Sequence, residues 1–188
     1  INDVNIVYVM NESFSDPLAL EGVTVSEDPI PKIRLLKETT LSGTILSQGY
    51  GGGTANIEFE ALTGLSMEPM SASLTTPYTQ LVSRMNELPS AISYLKQQGY
   101  ATTAIHPYNT TMYKRNEVYQ KLGFTTFLNE TNMEFSAKKG QNPYISDESA
   151  YQEVLQQMET TDESDFIHLV TMQNHMVYSG KYPGTAFS

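Results

Sequence analysis

The sequence has no cysteine among its 188 residues, which excludes disulfides, thiolate zinc sites and cysteine nucleophiles. The compartment stays open, because an extracellular protein need not use disulfides. Basic residues are scarce: 11 Lys and Arg stand against 21 Asp and Glu, a net charge of −10. That balance argues against a nucleic-acid partner, since phosphate contacts require a basic surface. It also gives no polybasic attraction to an anionic membrane. No apolar run approaches the ~20 residues of a membrane span, so no span is expected in this chain. The opening Ile1-Asn2-Asp3 lacks the basic start of a signal peptide. Charged residues make up only 17%, too few for a disordered polyelectrolyte, and 39% hydrophobic residues suffice for a core. The length predicts one domain, or a part of one.

What is present reads as alternating strands and helices. Val4–Met10 is a nearly continuous apolar, β-branched run, which predicts a strand buried on both faces of a parallel sheet. Residues 17–48 are expected to hold a loop, one or two helical turns over Ile33–Glu38, and a strand over Thr39–Ser47. Glycines at 49, 51, 52 and 53 predict a tight turn into a helix that starts at Thr54 and stops at Gly64. Residues 66–88, rich in Pro, Ser and Thr, read as mostly irregular. Ser90 is a candidate N-cap for Ala91–Gln98, Asn116 for Glu117–Leu122, and Ser146 for Asp147–Glu159. Strands are expected at Tyr100–Ile105, Phe124–Leu128 and Asp165–Met172. The pattern predicts an α/β fold with a mostly parallel central sheet flanked by helices.

In such sheets the site lies beyond the carboxyl ends of the strands. Three predicted strands end near a reactive polar residue: Glu12, His106 and His175. The glycine turn delivers Thr54 to a helix start, where unpaired N–H groups and the positive dipole end attract anions. Taken alone, a Thr there is more often only a cap, but so many glycines suit close approach of a phosphate to backbone. The Walker pattern fails, because no Lys sits next to the hydroxyl residue, which argues against a nucleotide P-loop. Glu12 taken alone reads as a solvated loop acid, yet a carboxylate there is also a good ligand for a hard cation, with Asp16 a weaker candidate. His168 alternates with apolar neighbours and reads as packing. The acidic stretch Glu148–Glu163 reads as a solvated helix face.

These residues resemble a family. Asn5-Ile6-Val7 through Glu12-Ser13-Phe14 and the block Gly51-Gly52-Gly53-Thr54-Ala55-Asn56 are similar to the lipoteichoic acid synthase and phosphoglycerol transferase group. So are Glu58-Phe59, Leu62-Thr63-Gly64, His106-Pro107-Tyr108, Tyr113, Arg115, Tyr119, Leu122-Gly123-Phe124, Ser146-Asp147 and Asn174-His175. That group belongs to the sulfatase (alkaline phosphatase) superfamily. The resemblance implies that Glu12 is a metal ligand, that Thr54 is both metal ligand and nucleophile, and that His106, Arg115 and His175 bind substrate. The implied cofactor is a divalent metal, Mn2+ or Mg2+. The implied reaction moves phosphoglycerol from an anionic phospholipid of the phosphatidylglycerol type, through a phosphothreonine, to a polyol or glycan acceptor in the cell envelope. The implied location is the extracellular face of the cell membrane, in a membrane-anchored parent.

Two positions depart from the group: Tyr108 where some members place an acid, and Gly53 where some place a Lys. Both put acceptor or head-group specificity in question. The group also completes its metal site with a downstream Asp-His pair. The expectation is therefore a partial catalytic domain over residues 1–188, truncated on the C-terminal side, inactive by itself, with apolar surface uncovered near Phe166–Met172. Two alternatives remain: a sulfatase or phosphodiesterase-type hydrolase of the same superfamily, and a non-catalytic module that binds an anionic polymer.

Overall fold

The computed structural model describes residues 4–11, 13–47, 49 and 53–182. Four parallel strands form one sheet in the order β1-β4-β2-β3: β1 (Ile6–Met10), β2 (Ala101–His106), β3 (Thr126–Asn129) and β4 (Asp165–Val170). Helices α1 (Pro31–Thr39), α2 (Thr54–Thr63), α3 (Pro77–Gln80), α4 (Ala91–Gln97), α5 (Arg115–Leu122) and α6 (Asp147–Thr160) surround it. The predicted α/β class and parallel sheet are observed.

The alternation of β4 sorts the layers. Ile167 and Leu169 face one side, where they pack with Ile105 and with Ala150 and Val154 of α6. Phe166 faces the other side with Ala104, against Phe59 and Leu62 of α2, Ile92 of α4 and Val118 of α5. All six β4 residues are buried, as expected of a central strand in a doubly covered sheet. Each fully buried Leu, Ile or Phe contributes roughly 1.5–3 kcal/mol.

Local signals explain most boundaries. Ser90 and Ser93 form a reciprocal capping box at the start of α4, with Oγ-to-N distances of 3.0 and 2.9 Å. Ser146 caps α6 through the Ser149 N–H at 3.1 Å, with Asp147 and Glu148 in the first turn. Gly64 ends α2 in the left-handed region, at φ +72°.

Several expectations are corrected. β1 is an edge strand in this chain, not buried on both faces: Val4, Ile6, Val7 and Tyr8 are 37–63% exposed. Within the sheet the uncovered apolar surface lies at β1, while β4, the strand expected to be bare, is buried; Leu41, Ile45, Leu46, Met176 and Val177 outside the sheet are exposed as well. Thr39–Ser47 forms no strand, because α1 runs through Thr39 and residues 40–47 carry no regular structure. No described strand pairs with that stretch, and β-branched residues alone do not make a strand. Asn116 does not cap α5. The helix begins two residues earlier than expected, at Arg115, behind Tyr113 and Lys114, which both sit in the left-handed region at φ +55° and +56°. Residues 66–88 include α3 and a 3-10 turn at Val82–Arg84. Glu153 is buried in α6, where its carboxylate accepts the backbone N–H groups of Glu134 and Phe135 at 2.9 and 3.0 Å.

Candidate anion pocket at the carboxyl edge of the sheet

Gly53 precedes α2 at φ +81°, a backbone state that a side chain would strain. The sharp entry makes Thr54 the first helical residue rather than the cap. Thr54 opens α2 at the carboxyl edge of the sheet, beside the end of β2. Arg115 opens α5 in the same place, after the strained pair Tyr113 and Lys114. Two consecutive non-glycine residues in this region cost on the order of 1–3 kcal/mol each, and such strain gathers at functional sites.

A pocket of about 60 Å3 collects Gly53, Thr54, His106, Tyr113, Arg115 and His175. All three predicted substrate-binding residues and the predicted nucleophile thus line one cavity. Two helix N-termini, those of α2 and α5, meet there. The positive ends of their dipoles favour an anion, and no Lys lines the pocket. Glu12, the predicted metal ligand, lies outside the described residues, as do Gly51 and Gly52. Asp16 caps the turn at Pro17 and pairs with Arg34 at 3.0 Å. The described residues contain no cluster of three or more His, Asp or Glu that could hold a metal.

His106 ends β2 and is 2% exposed. Its Nδ1 lies 3.0 Å from the Val170 carbonyl oxygen, which can only accept, so Nδ1 carries the hydrogen. Burial and the nearby Arg115 push its pKa down to about 3. Nε2 is then a bare lone pair, buried and without a hydrogen-bond partner among the described residues.

Arg115 is held rather than loose. Its Nη2 donates to Glu58 Oε2 at 2.6 Å, its Nε donates to Tyr119 Oη at 3.1 Å, and its guanidinium lies 5.2 Å from the Tyr113 ring centroid. Glu58 also accepts the Tyr119 hydroxyl at 2.6 Å and His168 Nε2 at 3.2 Å. Burial pushes the Glu58 carboxyl up, but Arg115 and His168 override it and hold the group well below the ordinary carboxylate range. His168, read from sequence as packing, is a buried member of this polar network.

His175 follows β4 on a loop tied from several sides. Asp147 accepts the Gln173 N–H at 3.4 Å and Asn174 Nδ2 at 3.2 Å, while Asn142 Nδ2 donates to the Gln173 carbonyl at 2.9 Å. Lys181 Nζ donates to the carbonyls of Gln173, at 2.8 Å, and His175. Burial raises the Asp147 carboxyl pKa, only partly offset by its bond to Gln173.

Sequence reasoning missed Glu58, Tyr119 and Asp147 as supports. Glu58 carried a signal. Ala55, Glu58, Phe59 and Leu62 follow the i, i+3, i+4, i+7 spacing of a buried helix face, so a carboxylate stood in an apolar stripe.

The family model described as sulfatase matches residues 4–188. A Rhizobium meliloti (strain 1021) protein named for cyclic beta-1,2-glucan modification is 37% identical over 93% of this chain and 26% of its own length. Lipoteichoic acid synthase 2 of Bacillus subtilis (strain 168) is 23% identical over 93% of this chain and 26% of its own length. Among solved structures, Streptococcus pyogenes phosphoglycerol transferase GacH, in complex with sn-glycerol-1-phosphate, is 34% identical with a TM-score of 0.83. That match covers 96% of this chain and 47% of the other. The chain thus spans about a quarter of these curated relatives and about half of the solved chain.

Proposed function

The chain belongs to the sulfatase family, and within it we propose that the protein is a phosphoglycerol transferase with Thr54 as its nucleophile. One observation carries the reading: Thr54, at a helix start, shares a small cavity with His106, Arg115 and His175. Two converging helix N-termini and a buried guanidinium suit a phosphodiester anion.

In this reading Thr54 Oγ bonds to phosphorus, and the bond from phosphorus to the diacylglycerol oxygen breaks. The Thr54 proton is lost and the leaving oxygen gains one. An acceptor oxygen then bonds to phosphorus and gives up its proton, the bond from phosphorus to Thr54 Oγ breaks, and Thr54 Oγ recovers a proton. Arg115 stands by for phosphoryl oxygens. The unprotonated His106 Nε2 would repel those oxygens but accepts a hydrogen bond from a hydroxyl, so its role is on the glycerol end. His175 closes the other wall.

A divalent cation, Mn2+ or Mg2+, belongs to the proposal, since oxygen donors suit hard ions better than zinc. When bound, it would lower the hydroxyl pKa of Thr54. The described residues fit it only in part. Thr54 is the one proposed ligand among them, and Glu12 with residues outside this chain would complete the set. The bare apolar face of β1 is where we place the rest of the domain. The donor chemistry puts the protein at the extracellular face of the cell membrane. No helix among the described residues is long and apolar enough to cross one. For the acceptor, the relative named for glucan modification favours a saccharide hydroxyl.

The test uses the full-length protein with a fluorescent phosphatidylglycerol and Mn2+. Release of diacylglycerol, with glycerol phosphate appearing on an added glucan, is the expected result. Cleavage of a sulfate ester instead, with the phospholipid untouched, would overturn it.

A further inference from the structure

Beside the anion pocket lies a second hollow, of about 370 Å3, lined by Pro107, Tyr108, Glu130, Ser136, Lys138 and Tyr144. Its volume falls within the roughly 300–1,000 Å3 of small-ligand clefts. From these residues we infer an acceptor groove that holds a sugar unit of a neutral glycan beside the phosphorylated Thr54. The inference rests on the transferase reading for its purpose, though not for its geometry.

The groove shares a wall with the pocket. His106 and Tyr108 have ring centroids 6.0 Å apart, Tyr108 and Tyr144 5.8 Å, and Tyr144 and His175 5.7 Å, all at steep interplanar angles. Two tyrosines of the groove are therefore linked, ring edge to ring face, to two histidines of the pocket. A ligand in the groove needs only to pass this aromatic rim to present a hydroxyl to the pocket.

The lining suits a sugar better than other acceptors. Tyrosine rings present apolar faces to the C–H face of a pyranose and a hydroxyl to its rim. The Tyr144 ring is fixed: its hydroxyl donates to the Met176 carbonyl at 3.2 Å, and Lys181 Nζ lies 4.8 Å from its centroid. Glu130, Ser136 and Lys138 are exposed, and none has a side-chain hydrogen bond or ion pair among the described residues. They offer an acceptor, a hydroxyl and a donor to hydroxyl groups of a ligand. One carboxylate and one ammonium make the groove close to neutral, which disfavours a poly(glycerol phosphate) chain. A lipid tail would require a continuous apolar lining, which Glu130 and Lys138 interrupt. The position is also open. Glu130 follows β3, at the far edge of the sheet from the bare β1 surface.

Tyr108 is the residue that departs from the acid some group members carry. An acid there would add negative charge beside the phosphoryl pocket. A tyrosine instead supplies a stacking surface, which ties the departure to acceptor choice.

The test is calorimetric titration of the full-length protein with a β-1,2-linked gluco-oligosaccharide, without donor lipid. Saturable binding is expected, weakened about tenfold or more by Tyr108→Ala and, separately, by the blocking variant Ser136→Trp. Thermal melting of both variants checks folding, and Ser136 is exposed enough to accept the change. In transfer assays Tyr108→Ala should raise KM for the glucan more than it lowers kcat. No glucan binding by the wild-type protein, or binding that neither variant alters, would overturn the groove. So would tighter binding of poly(glycerol phosphate) that both variants abolish. Because no donor is present, groove-dependent glucan binding in a protein that transfers no phosphoglycerol would uphold the groove and refute only the transferase reading.

Discussion

Glu58 Oε2 lies 2.6 Å from Arg115 Nη2, and neither side chain is more than 2% exposed. The carboxylate sits one turn beyond Thr54 on α2, and the guanidinium opens α5. The pair therefore bolts together the two helix starts that form the anion pocket. Tyr119, one turn along α5 from Arg115, closes the network from the same face.

That geometry predicts unequal outcomes for single and double substitution. Glu58→Leu alone leaves a buried, unpaired guanidinium and should cost about 3–5 kcal/mol, read by urea unfolding. Glu58→Leu with Arg115→Met should recover much of that stability, because the desolvation burden of both charges is gone. Transfer activity should not return in the double variant, since the fork toward phosphoryl oxygens is lost. Recovery of both stability and activity would show that Arg115 serves only the fold.

His106 gives a pH prediction. Its folded pKa, about 3, lies below the ordinary value of 6.5. Its contribution is therefore present above pH 6.5 and is lost as the pH falls toward 3, while the unfolded chain takes up a proton that the folded one refuses. The slope should approach ~1.4 kcal/mol per pH unit in that window. His106→Asn keeps a donor for the Val170 carbonyl but cannot titrate. Urea unfolding from pH 7 to pH 4 should show a shallower fall for that variant; parallel curves would disprove the assignment. Glu58 acts lower. Its depressed carboxyl pKa matters only once the pH drops below the ordinary 4.5.

Two glycines should respond differently to alanine. At Gly53 an added Cβ would have Asn56 Nδ2 as its nearest neighbour, at 3.7 Å, so the backbone angle is the obstacle and the loss should be about 1–2 kcal/mol. At Gly123 the Cβ would come within 2.9 Å of the Ser93 backbone nitrogen, on top of φ +110°. Thermal melting should rank Gly123→Ala as the more damaging. Only Gly53→Ala should depress turnover beyond its effect on stability, because it tilts the entry of Thr54.

For Thr54 the expectation is loss of turnover without loss of fold. Thr54→Ala in the full-length protein should bring diacylglycerol release below detection with an unchanged melting curve. Mass spectrometry of the wild-type protein trapped with donor should find phosphate on Thr54. Persistent turnover in the variant would remove Thr54 from the mechanism.

How much was legible beforehand depended on the range of each signal. The caps at Ser90 and Ser146, the stop at Gly64 and the start at Thr54 were readable because each is decided by neighbours within one helical turn. The parallel sheet followed from the alternation of strands and helices, and the resemblance grouped Thr54, His106, Arg115 and His175 before any coordinates. Pairing and coverage were not readable. Val4–Met10 has the composition of a central strand, yet exposure depends on which segments pack beside it, and among the described residues only β4 pairs with it in the sheet. Thr39–Ser47 has strand-like residues and no partner strand among the described residues. The charge network was hidden for a related reason. Glu58, Arg115 and His168 are far apart in sequence, and nothing local to any one of them names the other two as its partners. Only the fold brings them within hydrogen-bond distance, where low polarity makes a complete set of partners obligatory. Local chemistry is written along the chain, whereas the electrostatics of the pocket arise from contacts that exist only once the sheet and helices have closed around it.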